Sequence, residues 1–167
     1  WLNAVNADLG SDQGIARQDE LVAPEGERWA FINNWNRRFS QPTTHLVQAG
    51  EVYSLRIWVG SKVDDARCGR ISLLAGSLDP ANFDEFAPGT DLLVEKTAGT
   101  ALWGAFVPDV LIPGVGWQEV TLDYTVAAND PSIGKPLLVS FRTEDGSVGP
   151  VEYDDVRLEV VPEPATL

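Results

Sequence analysis

Val151-Glu-Tyr-Asp-Asp-Val-Arg-Leu-Glu-Val160 is a strand whose apolar residues change parity in mid-course. Val151 and Tyr153 fall on one parity, and Val156, Leu158 and Val160 on the other. A half-buried strand keeps its apolar residues on one parity, because a one-residue shift turns every side chain to the opposite face. The change falls at Asp154-Asp155. A β-bulge there would bring both halves into phase. The alternative is that residues 151–154 are loop and the strand starts at Asp155. A bulge would also turn two adjacent carboxylates in an unusual direction. That suits a hard cation such as calcium, which takes six to eight oxygen ligands.

Working back from this strand, the chain reads as a series of short extended segments. Pro136 to Thr143 places Leu137, Val139 and Phe141 on one face and Ser140 and Arg142 on the other. In Trp117 to Val126, the residues Gln118, Val120, Leu122, Tyr124 and Val126 share a mostly apolar face, leaving Trp117, Glu119 and Thr121 opposite. Val52 to Gly60 has Tyr53, Leu55, Ile57 and Val59 inward and Ser54, Arg56 and Trp58 outward. Arg28–Asn33, Arg38–Val47 (broken at Pro42), Arg70–Ala75, Leu92–Lys96 and Ala101–Val107 complete the expected strands. Gly76 to Gly89 reads as a long acidic loop with one helical turn after Asp79-Pro80. Residues 1–27 read as a long loop, with short strands near Ile15–Ala16 and Glu20–Val22.

Eight or more strands, turn signals every 8–14 residues, and no convincing amphipathic helix predict an all-β, antiparallel two-sheet β-sandwich. A jelly roll is the expected version. The 167 residues suit one domain, here residues 1–160, followed by a tail at 161–167.

The net charge is −13, from 25 acidic and 12 basic residues. That excludes nucleic acid and anionic membrane surfaces as expected partners, since both attract basic patches. It suits divalent cations, neutral glycans, or simple solubility outside the cell. One cysteine, Cys68, allows no intrachain disulfide. Cys68 reads as a strand or turn residue rather than half of a pair with His45. The absence of Met and of a leader leads to the expectation of a processed or excised form.

Two resemblances attach to these residues. Val161-Pro-Glu-Pro-Ala-Thr-Leu167, directly after the terminal strand, resembles the opening of the PEP-CTERM sorting signal. That family implies export, tail removal from the uncut precursor by an exosortase, and a place at the bacterial cell surface or in the extracellular matrix. The second covers residues 23–160, carried by Ala23-Pro-Glu-Gly-Glu-Arg-Trp-Ala-Phe-Ile32, Leu46-Val-Gln-Ala-Gly-Glu-Val-Tyr-Ser-Leu-Arg-Ile-Trp-Val-Gly60 and Tyr153-Asp-Asp-Val-Arg-Leu158. It is similar to galactose-binding-like jelly rolls of PEP-CTERM proteins and, more distantly, to the calcium-containing Stig cyclases of cyanobacteria. It implies a calcium site near the last strand, with Asp154 at its acidic position and Glu25 in the matching turn. Asp155 and Asp19 complete the candidate metal set. The family's first strand is not matched before Trp1. Either the chain is trimmed or another element fills that sheet edge, and an unfilled edge would be open to pairing with a second copy.

Three functions follow. The first is binding of a glycan or matrix component, with aromatic platforms stacking on an apolar sugar face. Arg56, Trp58 and Arg142 would form one shallow site if their strands are neighbours, with Trp117 as a further candidate. The competing account of the six tryptophans is core or edge cover. The second is a self-assembling surface or filament subunit. The third is an enzyme, cyclase- or glycan-active. No catalytic residue is assigned: the chain has no Gly-x-Ser-x-Gly elbow, no His-Glu-x-x-His, no Cys-x-x-Cys and no phosphate loop.

Overall fold

The computed structural model describes residues 13–17, 24–25, 28–32, 38–61, 68–99, 116–143 and 151–162. Its strands are β1 (Gln13–Arg17), β2 (Arg28–Ile32), β3 (Arg38–Leu46), β4 (Val52–Ser61), β5 (Cys68–Ala75), β6 (Leu78–Asp79), β7 (Asn82–Phe86), β8 (Asp91–Gly99), β9 (Gly116–Thr125), β10 (Pro136–Thr143) and β11 (Val151–Val161). They form a five-stranded sheet, β1-β2-β11-β4-β9, a four-stranded sheet, β3-β10-β5-β8, and a small β6-β7 ladder. Every pairing is antiparallel. The molecule is an all-β jelly-roll sandwich.

The alternating faces meet between the sheets. Tyr53, Leu55, Ile57 and Val59 from β4, Val120 and Leu122 from β9, and Val151 and Tyr153 from β11 bury against Ile71, Leu73, Leu137, Val139 and Phe141 of the other sheet. Pro42 falls in β3, an edge strand, where a missing N–H can face away from the ladder. The Gln48–Glu51 turn leads into β4, with Gly50 at a φ of 79° that a side chain would resist.

The parity change in the terminal strand is a bulge. Asp154 pairs with Trp58 and Arg157 with Arg56, so Asp155 and Val156 together oppose Ile57. Asp155 takes a φ of 46°. Leu158 then returns opposite Leu55, and both halves of β11 turn their apolar residues to the core. Residues 151–154 are strand, not loop.

Two expectations change. Residues 76–89 are not a loop with a helical turn, because Leu78–Asp79 pairs with Asn82–Phe86 as a short ladder. The edge beside β2 is filled by β1, which extends the expected short strand at Ile15–Ala16. The expected strands at Glu20–Val22 and Ala101–Val107 lie outside the described residues.

Candidate functional site

The four-stranded sheet carries an unusual outer face. Because Leu137, Val139 and Phe141 of β10 point into the core, Leu138, Ser140 and Arg142 point away from it. The register extends each into a row across neighbouring strands. Arg142 stands opposite Arg38 and Arg70. Ser140 stands opposite Ser40 and Ser72, and Ser72 opposite Glu95 of β8. Leu138 stands opposite Pro42 and Leu74. The face thus grades from guanidinium through hydroxyl to apolar.

An outer sheet face is ordinarily wet. This one is not: Arg38 is 6% exposed, Ser40 0%, Ser140 3%, and Leu74 and Leu138 are buried too. Polar groups at such depth need partners. Ser40 Oγ and Ser140 Oγ are 2.9 Å apart. Ser72 Oγ donates to Glu95 Oε2 at 2.8 Å, and Arg70 Nη1 lies 3.1 Å from Glu95 Oε1. Arg38 places its guanidinium 4.2 Å above the ring of Phe86, so the β6-β7 hairpin reaches over this face. The result is a largely buried outer face, called the recess below, with a cationic end, a middle row of hydroxyls, one doubly held carboxylate and an apolar end.

Only Arg142 of the sequence candidates belongs to this recess. Arg56, Trp58 and Trp117 lie on the outer face of the five-stranded sheet, where Trp58 pairs with Glu119 and Gly60 with Trp117. The four residues do not form one site, because β10 is hydrogen-bonded to β3 and β5 and not to β4. On the β4-β9 face the indole of Trp117 lies flat on Gly60, where a Cβ would come within 2.6 Å of the ring. Trp58 is diagonal to it, and Arg56 is exposed, 3.7 Å from Glu159. Two half-buried indoles side by side make a second, smaller aromatic platform. Glu152, fully buried on the same side of this sheet beside Phe31 and Gly60, gave no signal in the sequence.

The recess did leave a signal. Arg38-Phe-Ser40 in β3 and Arg70-Ile-Ser72 in β5 share the pattern Arg-apolar-Ser, and Ser140-Phe-Arg142 in β10 is its reverse. A strand antiparallel to both and lying between them needs that reversed order to align arginine with arginine and serine with serine.

The bulge brings three of the four candidate metal residues to one corner. Asp154 Oδ2 accepts the Glu25 backbone N–H at 3.0 Å. Arg157 Nε donates to Asp155 Oδ1 at 2.6 Å, and Arg157 Nη2 to Glu25 Oε2 at 3.3 Å. The hydrogen bond from Arg157 holds the Asp155 carboxyl below its ordinary range. A calcium cage needs oxygens converging without a cation among them. Here a guanidinium lies between Asp155 and Glu25, and among the described residues no three His, Cys, Asp or Glu gather as a metal site. These described residues form an arginine-centred ion cluster and do not by themselves fit calcium. Asp19 lies outside the described residues.

The family described as HpiC1 cyclase matches residues 10–159. The chain belongs to the HpiC1-like family. No curated protein matches it in sequence. Among solved structures, this HpiC1-like chain is similar to a cyclase from Fischerella sp. TAU in complex with 4-(1H-indol-3-yl)butan-2-one. That match has TM-score 0.72 and 16% identity, over 98% of this chain and 83% of that one. It is similar to the Stig cyclase Fisc from the same organism, in complex with (3Z)-3-(1-methyl-2-pyrrolidinylidene)-3H-indole, with TM-score 0.69 and 16% identity, over 97% of this chain and 82% of that one. It is also similar to the CBM22-1 xylan-binding domain of Paenibacillus barcinonensis Xyn10C, with TM-score 0.51 and 12% identity, over 93% and 85%. At these identities the likeness establishes the jelly-roll fold that the HpiC1-like chain shares with them.

Proposed function

We propose that this HpiC1-like protein is an exported binding protein that takes a saccharide into the recess on the outer face of the four-stranded sheet. The observation that carries the reading is the polar row in which Ser40, Ser72, Ser140 and Arg38 are buried and Arg70, Glu95 and Arg142 are partly buried. A sandwich gains nothing in stability by sinking hydroxyl and guanidinium groups on an outer face, since desolvation offsets most of what their hydrogen bonds return. Saccharides are recognised by such convergent donors and acceptors beside an apolar wall. The xylan-binding neighbour has the same fold, and the Val-Pro-Glu-Pro tail supplies the extracellular address in this reading.

The test is backbone-amide NMR during titration with a xylan or cellulose oligosaccharide panel. Shifts confined to β3, β5, β8 and β10 support the recess. Shifts confined to β4 and β9 would move binding to the Trp58–Trp117 platform, and no shifts with any saccharide would sink the proposal.

A second reading, ring closure of an alkyl indole, is favoured by the family match over residues 10–159. Its residue candidate is Glu95, a carboxyl group on the same face as the apolar Pro42–Leu138–Leu74 row. Incubation with an unsaturated alkyl indole, followed by a search for a product of unchanged mass, tests it. Unchanged substrate at high enzyme concentration counts against it.

A further inference from the structure

Among the described residues, β9 is an outermost strand of the five-stranded sheet. Its backbone groups divide by parity. Val126 N–H donates to the Glu51 carbonyl at 2.9 Å, and hydrogen-bonded pairs alternate along an antiparallel ladder. Carried along the register, this gives Val120, Leu122 and Tyr124 the bonds to β4 and turns the N–H and C=O groups of Glu119, Thr121 and Asp123 toward the outer edge. One of those groups is engaged from the other sheet: Lys96 of β8 donates from Nζ to the Thr121 carbonyl at 2.7 Å. A cationic donor thus sits where the N–H of a further strand would fall.

The other edges are blunted in the usual ways. β1 has only five residues, β3 contains Pro42, and β8 bulges at Leu93, since Leu73 pairs with Val94 and Leu74 with Leu92. β9 is ten residues long, holds no proline and pairs with β4 without a shift. What it carries instead is charge of one sign. Glu119 and Asp123 are exposed on the outer face, one on each side of Thr121. A second β9 laid antiparallel about Thr121 would set Glu119 against Asp123 of the copy, where like charges repel. A strand with basic side chains meets the opposite sign.

We propose that β9 is a strand-addition site for an extended basic segment of a partner protein, with lysine or arginine side chains beside Glu119 and Asp123. In this mode main-chain hydrogen bonds supply the affinity and alternate side chains the specificity. Residues in a hydrogen-bonded pair point their side chains to the same face, so the basic residues of the segment are also those whose amides bond to β9. Residues of the other parity continue the apolar face beside Val120 and Leu122. Lys96 gives up the Thr121 carbonyl when the strand enters. The inference does not rest on the saccharide reading, because β9 belongs to the other sheet.

The experiment is amide hydrogen exchange, read by NMR on the full chain, with and without a short synthetic peptide of alternating lysine and valine. In the free protein the amides of Glu119, Thr121 and Asp123 should exchange faster than those of Val120 and Leu122. The peptide should slow these three roughly tenfold, as burial in a ladder does. Methylation of the peptide's valine amides should leave the effect intact, methylation of its lysine amides should abolish it, and a glutamate–valine peptide should have none. Lys96→Met should tighten binding several-fold by freeing the Thr121 carbonyl. Equal binding of the two methylated peptides overturns the inference, since the peptide would then only adsorb to an acidic surface. Equal binding of the glutamate peptide overturns the charge preference, and slowing by none of the peptides overturns the site. Slow exchange of the three amides in the free protein also overturns it: at all concentrations it would mean that the chain covers its own edge, and on concentration alone that a second copy does. The peptide comparison on the unaltered protein decides the matter even where Lys96→Met fails to fold.

Discussion

The hydroxyl of Tyr153 crosses the sandwich and donates to the backbone carbonyl of Arg142 at 3.0 Å. Its ring stacks on Phe141 with centroids 5.3 Å apart. The position below is kept open by Gly69, where a Cβ would clash with the Tyr153 hydroxyl and lie 2.9 Å from Val151 Cγ1. One residue of the terminal strand therefore fixes two strands of the opposite sheet, β10 through a hydrogen bond and β5 through close packing. Tyr153→Phe should cost about 0.5–1.5 kcal/mol, the usual worth of one such bond. Gly69→Ala should cost about 1–3 kcal/mol, as overpacking of a filled core does. Urea unfolding checks both, and a Gly69→Ala variant as stable as the wild type would show that Tyr153 swings aside freely.

The bulge makes a sharper prediction. With Asp155 removed, Val156 falls opposite Ile57 and Asp154, Val156, Arg157 and Leu158 alternate regularly against β4. Deletion of Asp155 should therefore leave a folded protein with a continuous ladder. Deletion of Val156 instead leaves Asp155 opposite Ile57, aimed at the core, and should lose cooperative unfolding. Proton NMR dispersion of the two deletions distinguishes them. Equal behaviour would mean that the register is set elsewhere in the sheet.

The same residues explain how far the sequence could be read. The inward faces of β4, β9 and β10 were legible because two-residue alternation is a local signal, and the bulge was legible as an interruption of it. The recess was not. Its arginines and serines look like ordinary outward residues on each strand, and only the strand order places the three triplets side by side. The expected grouping of Arg56, Trp58 and Arg142 failed for the same reason: parity gives the face of a sheet but not which sheet. The helical turn expected after Asp79-Pro80 gave way to a tertiary preference, since the β6-β7 ladder brings Phe86 over Arg38.

At the bulge corner, Arg157 bridges Asp155 and Glu25 and so ties the strand to the 24–25 turn. Arg157→Met should lower the melting temperature by leaving those two carboxylates without their shared cation. Melting of the unaltered protein should be the same in calcium as in a chelator, because the guanidinium already supplies the positive charge among the described residues. A melting temperature that falls on chelation would show that a metal ion shares the corner with Arg157.

Glu51 supplies a pH dependence of known sign. Its Oε2 accepts from Tyr53 OH at 2.7 Å, His45 Nε2 at 2.8 Å and the Gln48 N–H at 3.1 Å. Burial pushes this carboxyl upward, but the hydrogen bonds from Tyr53 and His45, with that of Gln48, outweigh it and hold the group below its ordinary 4.5. Burial, together with the hydrogen bond to Glu51, pushes the Tyr53 phenol well above its usual 10. A carboxyl group lowered in the folded state binds its proton more weakly there than in the unfolded chain. Its contribution is therefore complete above about 4.5 and is lost as the pH falls through the folded value. Glu51→Gln should cost about 1.5–3 kcal/mol at neutral pH, the range for hydrogen bonds to a charged acceptor. The difference between variant and wild type should shrink as the pH is lowered below 4.5. Chemical denaturation at pH 7, 5 and 3.5 measures it, and a difference that stays constant across that range would show that the charge on Glu51 does no work in holding the turn.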